Sequence, residues 1–297
     1  MKVLITGASG LVGTELQKSF AEQGYEMLLA SRSEPKDDQH IQWSVEEGFT
    51  EPEKLEGLDV VVHLVGENVS GLRWTDDKKK AIRDSRVLGT RNVVDAISKL
   101  NDRPKTFVAA SAIGFYGERG EEEVTESSAA GDNFLAGVCK EWEAESRRAE
   151  DAGIRTVLLR TGIVLSKDGG ALSTMLLPFK MGVGGVVGSG KQWMSWISME
   201  DEIAVINYVI ENENIRGAVN AVSPNPVTNH DFTKTLGDVL YRPTFIPLPE
   251  FAVSMIFGEM GDALLLSSTK VMPKRLEDAG FEFKYPDLKQ AIENAVK

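Results

Sequence analysis

The chain has 297 residues, with 45 acidic and 33 basic side chains and a formal net charge of −12. That length suits one large α/β domain with an appendage, or two domains at roughly 150 residues each, and it can bury a core without disulfide staples. So negative a chain argues against nucleic acid or an anionic membrane as partner, since both demand a basic face, and a lone cysteine, Cys139, rules out an intrachain disulfide or a cysteine metal cluster and suits a reducing, cytoplasmic setting.

Val3-Leu4-Ile5-Thr6 is a short apolar run ending in glycines, as a strand buried in a parallel sheet does. A helix follows over 11–22, with Leu11, Val12, Leu16 and Phe20 at helical spacing and Gly24 as its stop. Between them lies Thr6-Gly7-Ala8-Ser9-Gly10-Leu11-Val12-Gly13. After a strand and before a helix, such a glycine pattern predicts a cradle for a dinucleotide phosphate. Gly7 permits the tight turn, Gly10 lets backbone approach the pyrophosphate, and Gly13 lets the helix pack on the strand. Ala8, Ser9, Leu11 and Val12 contribute backbone to the same loop. The helix N-terminus adds free N–H groups and the positive end of its dipole, so an acidic protein can hold a polyanion with backbone alone. The alternative is a purely structural glycine turn.

A second apolar run, Met27 to Ala30, ends in Ser31-Arg32-Ser33. Folds that bind NAD place an acid here for the ribose 2′-OH. This chain has none before Glu34, whereas Arg32 is a planar cation suited to a 2′-phosphate and Ser31 adds a hydroxyl. NADP is therefore expected ahead of NAD. The alternative for Arg32 is a solvated loop charge.

Further strands are expected at 41–43, 58–65, 106–111 and 155–160. Long helices are expected at 75–100, with Ile82, Val87, Val93, Val94 and Ile97 inward, and at 134–151, with exposed charges that include an i,i+4 pair of Glu143 and Arg147. Strand and helix alternate as in a doubly wound parallel sheet with helices on both faces. Beyond about residue 165 the pattern loosens into glycine-rich loops at 182–190, helices near 200–212, 229–240 and 250–260, a strand at 218–222, a short strand after Ser267 and a final helix after Pro286. The predicted fold is α/β: a Rossmann-like doubly wound parallel sheet over 1–165, open to later strands, and a smaller mixed C-terminal lobe over 166–297. Gln192, Trp193 and Trp196 line a pocket or pack between lobes. Glu121-Glu122-Glu123 reads as a solvated acidic loop. The dispersed His40, His63 and His230 show no ligand spacing, so no metal site is expected. The start MKVLITGASG does not read as a signal peptide, and no stretch reads as a membrane span.

The TGxxGxxG spacing resembles the extended, epimerase/dehydratase-like branch of the short-chain dehydrogenase/reductase superfamily. The segments Gly66–Val69 (GENV), Ser111–Gly117 (SAIGFYG), Gly188–Ile197 (GSGKQWMSWI) and Leu248–Phe283 are similar to the subgroup whose C-terminal segment is a domain of unknown function. The resemblance covers essentially the whole chain. It implies that the turn Leu64-Val65-Gly66 borders the cofactor. Ser85 to Thr90 resembles the family's Asn-Val-x-Gly-Thr segment with Arg86 in place of Asn, so that Arg86 faces the cofactor or is a solvated helix charge. Leu159 to Leu165, with Val164, resembles the segment beside the nicotinamide.

The superfamily's chemistry uses a Tyr, a Lys four residues later on the same helix face, and a hydroxyl at the preceding strand end. The helix from Asn133 to Glu143 contains no Tyr, and no register restores the pair: Lys140 would be matched by Ala136, and Cys139 by Leu135. The usual hydroxyl position falls on Ala112, one residue after Ser111. Ser111 and Tyr116 are the candidate catalytic groups, with backbone satisfaction and loop packing as their respective alternatives. The expectation is an NADP-dependent oxidoreductase or epimerase acting on a small-molecule substrate between the lobes. The alternative is a module that senses NADP redox state with little or no turnover. A homodimer through a helical face is expected by analogy with the fold alone.

Overall fold

The structure, a computed structural model, describes residues 1–297. The first half holds β1 (Lys2–Thr6), α1 (Leu11–Glu22), β2 (Glu26–Ser31), β3 (His40–Ser44), β4 (Gly48–Phe49), β5 (Val60–His63), α2 (Asp76–Ser98), β6 (Thr106–Ala112), β7 (Glu123–Val124) and α3 (Phe134–Asp151). Then come β8 (Arg155–Thr161), β9 (Ile163–Leu165), α4 (Gly170–Lys180), β10 (Trp193–Met194), β11 (Trp196–Ser198), α5 (Met199–Glu211), β12 (Gly217–Ala221) and β13 (Val227–Thr228). The remainder is α6 (Asn229–Leu240), α7 (Glu250–Phe257), α8 (Glu259–Gly261) running into a π-helical turn, β14 (Lys270–Val271), α9 (Lys274–Asp278) and α10 (Leu288–Ala295).

Eight strands form the main sheet in the order β12-β8-β6-β5-β1-β2-β3-β4. All neighbours are parallel except β4, which turns back antiparallel on β3. Strands β2 and β3 build outward on one side of β1, and β5, β6 and β8 on the other. The order therefore reverses between β1 and β5, where a crevice opens beyond the strand ends.

The sheet is buried on both faces because its strands are apolar on both. Within β1, Val3 and Ile5 face a core shared with Leu16, Phe20, Val205 and Val209, from α1 and α5. Leu4 faces the other core, with Val93, Ile97 and Phe107 under α2. A one-residue slip would exchange these faces. Residues beyond 165 return to this layer: β12 is its outermost strand and α5 packs on α1. A third core joins Leu172, Phe232, Leu236, Leu288 and Ile292 of α4, α6 and α10, and it encloses Trp196 completely.

Helix starts follow a common device. Thr75, Asn133, Ser198 and Thr228 each cap a helix by accepting a backbone N–H with the side chain. Arg155 serves the opposite end of α5, donating to the carbonyls of Val209, Ile210 and Ile215. No helix is long and apolar enough to cross a membrane.

One expectation is corrected here and one element is added. Glu143 is buried and turns away from Arg147, which reaches Glu150 instead. The stretch after Gly169 contains α4, a helix disguised by its opening glycines, its internal Pro178 and its nearly unbroken apolar sequence.

Candidate functional site

The loop between β1 and α1 sits at the reversal point. Gly7 has φ +73°, a conformation that favours glycine. A Cβ there would lie 2.9 Å from the Leu64 carbonyl carbon, so the turns after β1 and β5 touch only because Gly7 lacks one. A Cβ on Gly13 would collide with the Gly7 carbonyl oxygen and lie 2.9 Å from the Ala8 Cα. Gly10 donates its N–H to the Gly7 carbonyl at 2.9 Å, and Gln17 pins the loop from inside, donating to the carbonyl of Ala8 at 2.7 Å.

Unlike the four helices above, α1 has no side-chain cap: Gly10 is its N-cap. The first-turn amides of Leu11 and Val12 have no intrahelical partner, and Ser9 and Gly10 are exposed. This is a cradle of backbone donors at the positive end of a helix, and it fits a pyrophosphate. Arg32, just past β2, is exposed, and its guanidinium makes no ion pair in the structure. Ser31 donates its hydroxyl to the Ser33 carbonyl at 3.2 Å.

Beneath the cradle, His63 is completely buried between two hydroxyls: Nδ1 meets Thr6 Oγ1 at 2.6 Å and Nε2 meets Thr90 Oγ1 at 2.9 Å. Burial pushes its pKa down to about 3, so the ring is neutral and ties the ends of β1 and β5 to α2. Leu64 and Val65 then point to opposite cores. The missing Cβ of Gly66 leaves room for Arg86, whose Cζ would otherwise lie 3.0 Å away. Arg86 donates to the carbonyls of Glu67 and Ile82 and stacks over Trp142, 5.1 Å from the ring centroid. It thus props the Gly66 turn and is half-buried, not a solvated helix charge. Val164 lies in β9, packed against the first core and paired with Ile197.

The proposed catalytic groups meet a buried network instead. Ser111 donates its hydroxyl to Glu143 Oε1 at 2.8 Å. Arg160 from β8 binds the same carboxylate in two-point fashion, Nε to Oε1 at 2.7 Å and Nη2 to Oε2 at 2.9 Å. Its Nη1 donates to the Tyr116 hydroxyl at 3.0 Å, and Tyr116 donates onward to Asn220 Oδ1 at 2.6 Å. Tyr116 has no exposed surface, and burial raises its pKa. In this structure its phenol is enclosed and bonded within the network. Sequence reading missed the Glu143–Arg160 pair, although an arginine in the apolar run RTVLLRT demanded a buried partner.

Where the superfamily places Tyr and Lys, α3 presents other chemistry. Leu135 lies against Gly114, and Cys139 is buried with its Sγ 4.0 Å from the Ala112 carbonyl. Burial pushes the Cys139 thiol up to about 12, so it stays protonated. Lys140 points to solvent. Two further findings concern the rim. Trp196 is core, while Trp193 donates to Glu121 Oε2 under Lys270. Glu202, in the first turn of α5, accepts from Thr161 Oγ1 at 3.0 Å, but its other oxygen is buried without a partner. Burial lifts its pKa to about 8. A separate cavity of about 540 Å3 beside β4 and the last turn of α2 is lined by Glu46, Glu47, Glu53, Glu56, Asp95 and Lys99, a wall hostile to an anion.

A parallel sheet reversed at a glycine cradle, with an uncapped helix N-terminus facing it, defines a Rossmann-type dinucleotide fold of the short-chain dehydrogenase/reductase kind. The chain belongs to the NAD dependent epimerase/dehydratase family, whose model matches residues 3–221, and residues 248–295 match a domain of unknown function, DUF1731. It is 38% identical to the epimerase family protein YfhF of Bacillus subtilis over 301 residues, 100% of this chain and 98% of that one. Among solved structures, human epimerase family protein SDR39U1 (isoform 2) with NADPH superposes with a TM-score of 0.92 at 34% identity, covering 100% of both chains. A nucleoside-diphosphate sugar epimerase from Corynebacterium glutamicum superposes with a TM-score of 0.83 at 36% identity, covering 100% of this chain and 58% of that one.

Proposed function

We propose that the protein is an NADP-dependent oxidoreductase or epimerase that acts on a small molecule in the cleft above the ends of β1, β5 and β6. The observation that carries this reading is the uncapped α1 N-terminus facing Gly7, with Arg32 free beside it. In this reading Gly7, Ala8, Ser9, Gly10, Leu11, Val12 and Gly13 hold the pyrophosphate, Ser31 and Arg32 take the 2′-phosphate, and Leu64, Val65, Gly66 and Val164 border the cofactor. The human relative's NADPH supports NADP over NAD. A nicotinamide held by these residues would supply hydride chemistry at the substrate carbon.

The chain's own residues then orient the substrate. With no Tyr–Lys pair on α3, Ser111 is the hydroxyl we assign to the substrate oxygen. Its hydroxyl donates its proton in a hydrogen bond to Glu143, so its lone pairs remain to accept a hydrogen bond from a substrate alcohol. A cytoplasmic setting suits the buried thiol of Cys139.

The test is calorimetric titration with NADPH and NADH, then a carbonyl and alcohol library at saturating cofactor. Tight NADPH binding with turnover of a library member supports the reading, and binding of neither cofactor defeats it. The missing pair on α3 favours a second reading, a sensor of NADP redox state. Binding without turnover, together with a partner captured by only one redox form, would select it.

A further inference from the structure

Two arginines of the interior are matched by the chain itself. Arg160 meets Glu143 at two points, and Arg155 gives both terminal nitrogens to Thr106 and to carbonyls at the end of α5. Arg86 differs. Its Nη1 donates to the carbonyls of Glu67 and Ile82 at 3.0 and 3.1 Å, while Nε and Nη2 find no acceptor among the protein's atoms. The Glu67 carboxylate does not pair with it but turns to Lys78 at 2.6 Å. Desolvation works against the charge, yet a guanidinium does not give up its proton. A cation drawn partly out of water without a counter-charge is costly.

Its surroundings are those of the proposed reaction centre. A Cβ on Gly66 would stand 3.0 Å from Cζ and Nη2 and 3.3 Å from Nε. With Cζ as near as either nitrogen, that position lies over the guanidinium plane, and the edge between the two N–H groups stays open. The Trp142 ring centroid is 5.1 Å from Cζ, and its buried indole N–H is likewise without an acceptor. Two unmatched donors therefore stand together. The charge of Arg86 also reaches Cys139, whose Sγ is 4.0 Å from the Ala112 carbonyl at the end of β6, the strand that carries Ser111. That thiol keeps its proton and offers no counter-charge. Arg86 thus brings a cation to the wall of α3 that lacks the superfamily's Lys.

We propose that the open Nε–Nη2 edge of Arg86 holds a carboxylate of the substrate, beside the oxygen assigned to Ser111, so that the protein acts on an oxo acid or a hydroxy acid. A carboxylate is planar, presents two oxygens to two parallel N–H donors and sets one charge against one. A phosphate dianion would leave a negative charge over, close to Glu67. The proposal rests on the oxidoreductase reading for the chemistry at the neighbouring carbon, and its test reads binding and turnover separately.

The NADPH-saturated protein is titrated with pyruvate, acetoacetate and levulinate, each beside its methyl ester. Tryptophan fluorescence reports binding, with Trp142 next to the site, and NADPH oxidation is recorded in parallel. At least one acid should bind about tenfold to a hundredfold more tightly than its ester, the worth of a hydrogen bond to a charged group. Arg86→Met should erase that preference and leave ester and NADPH affinity unchanged. Should Arg86→Met fail to fold, Arg86→Lys, which keeps the charge and loses the fork, should shrink the preference. Acids that bind no better than their esters in any pair overturn the proposal, and so does a preference that survives in folded Arg86→Met. A loss of NADPH affinity in that variant, with the acid preference intact, assigns the arginine to the cofactor and overturns it too. Inorganic phosphate displacing the bound acid better than acetate does has the same effect. Acid preference without NADPH oxidation defeats the oxidoreductase reading and leaves the carboxylate site standing. Oxidation by esters as fast as by acids, at equal affinity, does the reverse.

Discussion

The carboxylate of Glu143 and the guanidinium of Arg160 face each other in a two-point pairing, with side chains 6% and 4% exposed. Neither ion can be removed alone without stranding the other in a low dielectric. Arg160→Ala or Glu143→Ala should therefore cost about 3–5 kcal/mol. Replacing both by apolar residues of similar size, as in Glu143→Met with Arg160→Leu, should recover part of the loss. Urea midpoints of the three variants decide it; additive losses in the double variant would contradict the account.

Tyr116 hangs from this pair. Tyr116→Phe removes its donation to Asn220 and the acceptor for Arg160. Stability should fall by about 1–3 kcal/mol, with NADPH affinity unchanged. A Tyr116→Phe protein of full stability that loses turnover would return the phenol to the chemistry.

Gly13→Ala should damage the cradle more than the fold. The added methyl meets backbone on two sides, Gly7 and Ala8, so the loop must open. The expected outcome is a loss of about 1–3 kcal/mol in stability and loss of measurable dinucleotide binding by calorimetry.

Arg32→Ala should weaken NADPH by about tenfold to a hundredfold, the worth of a hydrogen bond to a charged group. NADH affinity should not change, since NADH lacks the 2′-phosphate. Equal losses for both would show that Arg32 reads another part of the ligand.

Two buried groups set opposite pH slopes. His63 is neutral in the fold down to about pH 3 but titrates near 6.5 when unfolded. Its contribution falls as pH drops from 6.5 to 3. Glu202 keeps its proton in the fold to about pH 8 but loses it near 4.5 when unfolded. Its contribution falls as pH rises from 4.5 to 8. Each slope is about 1.4 kcal/mol per pH unit, so the two cancel between 4.5 and 6.5 and leave a plateau. Glu202→Gln should abolish the decline between pH 6.5 and 8, as read from urea midpoints across that range.

What the sequence made legible was local. The strand–glycine–helix run at residues 3–13 and the bounds of α3 need only neighbours along the chain. Glu143 was misjudged because helical spacing sees the surface of α3 and not the strand beneath, where Arg160 waits. The contact of Arg86 with Gly66 is illegible for the same reason: it depends on the turn after β5 meeting α2 in space. Trp196 was undecidable because either burial or a pocket wall would use a tryptophan. Helix α4 was hidden because its apolar residues lie on every side, and amphipathic periodicity is the signal that reveals a helix.

The Tyr116–Asn220 hydrogen bond has a further consequence. Asn220 also donates to the Met272 carbonyl and takes the Glu126 carboxylate on its own N–H. One polar thread thus sews β6, β8 and β12 to the segment before α9. A chain ending near residue 165 would expose Arg160 and leave Tyr116 without its anchor. Residues 1–165 are therefore not a cassette that can be transplanted without the sequence that follows them. The two halves are expected to melt in one transition.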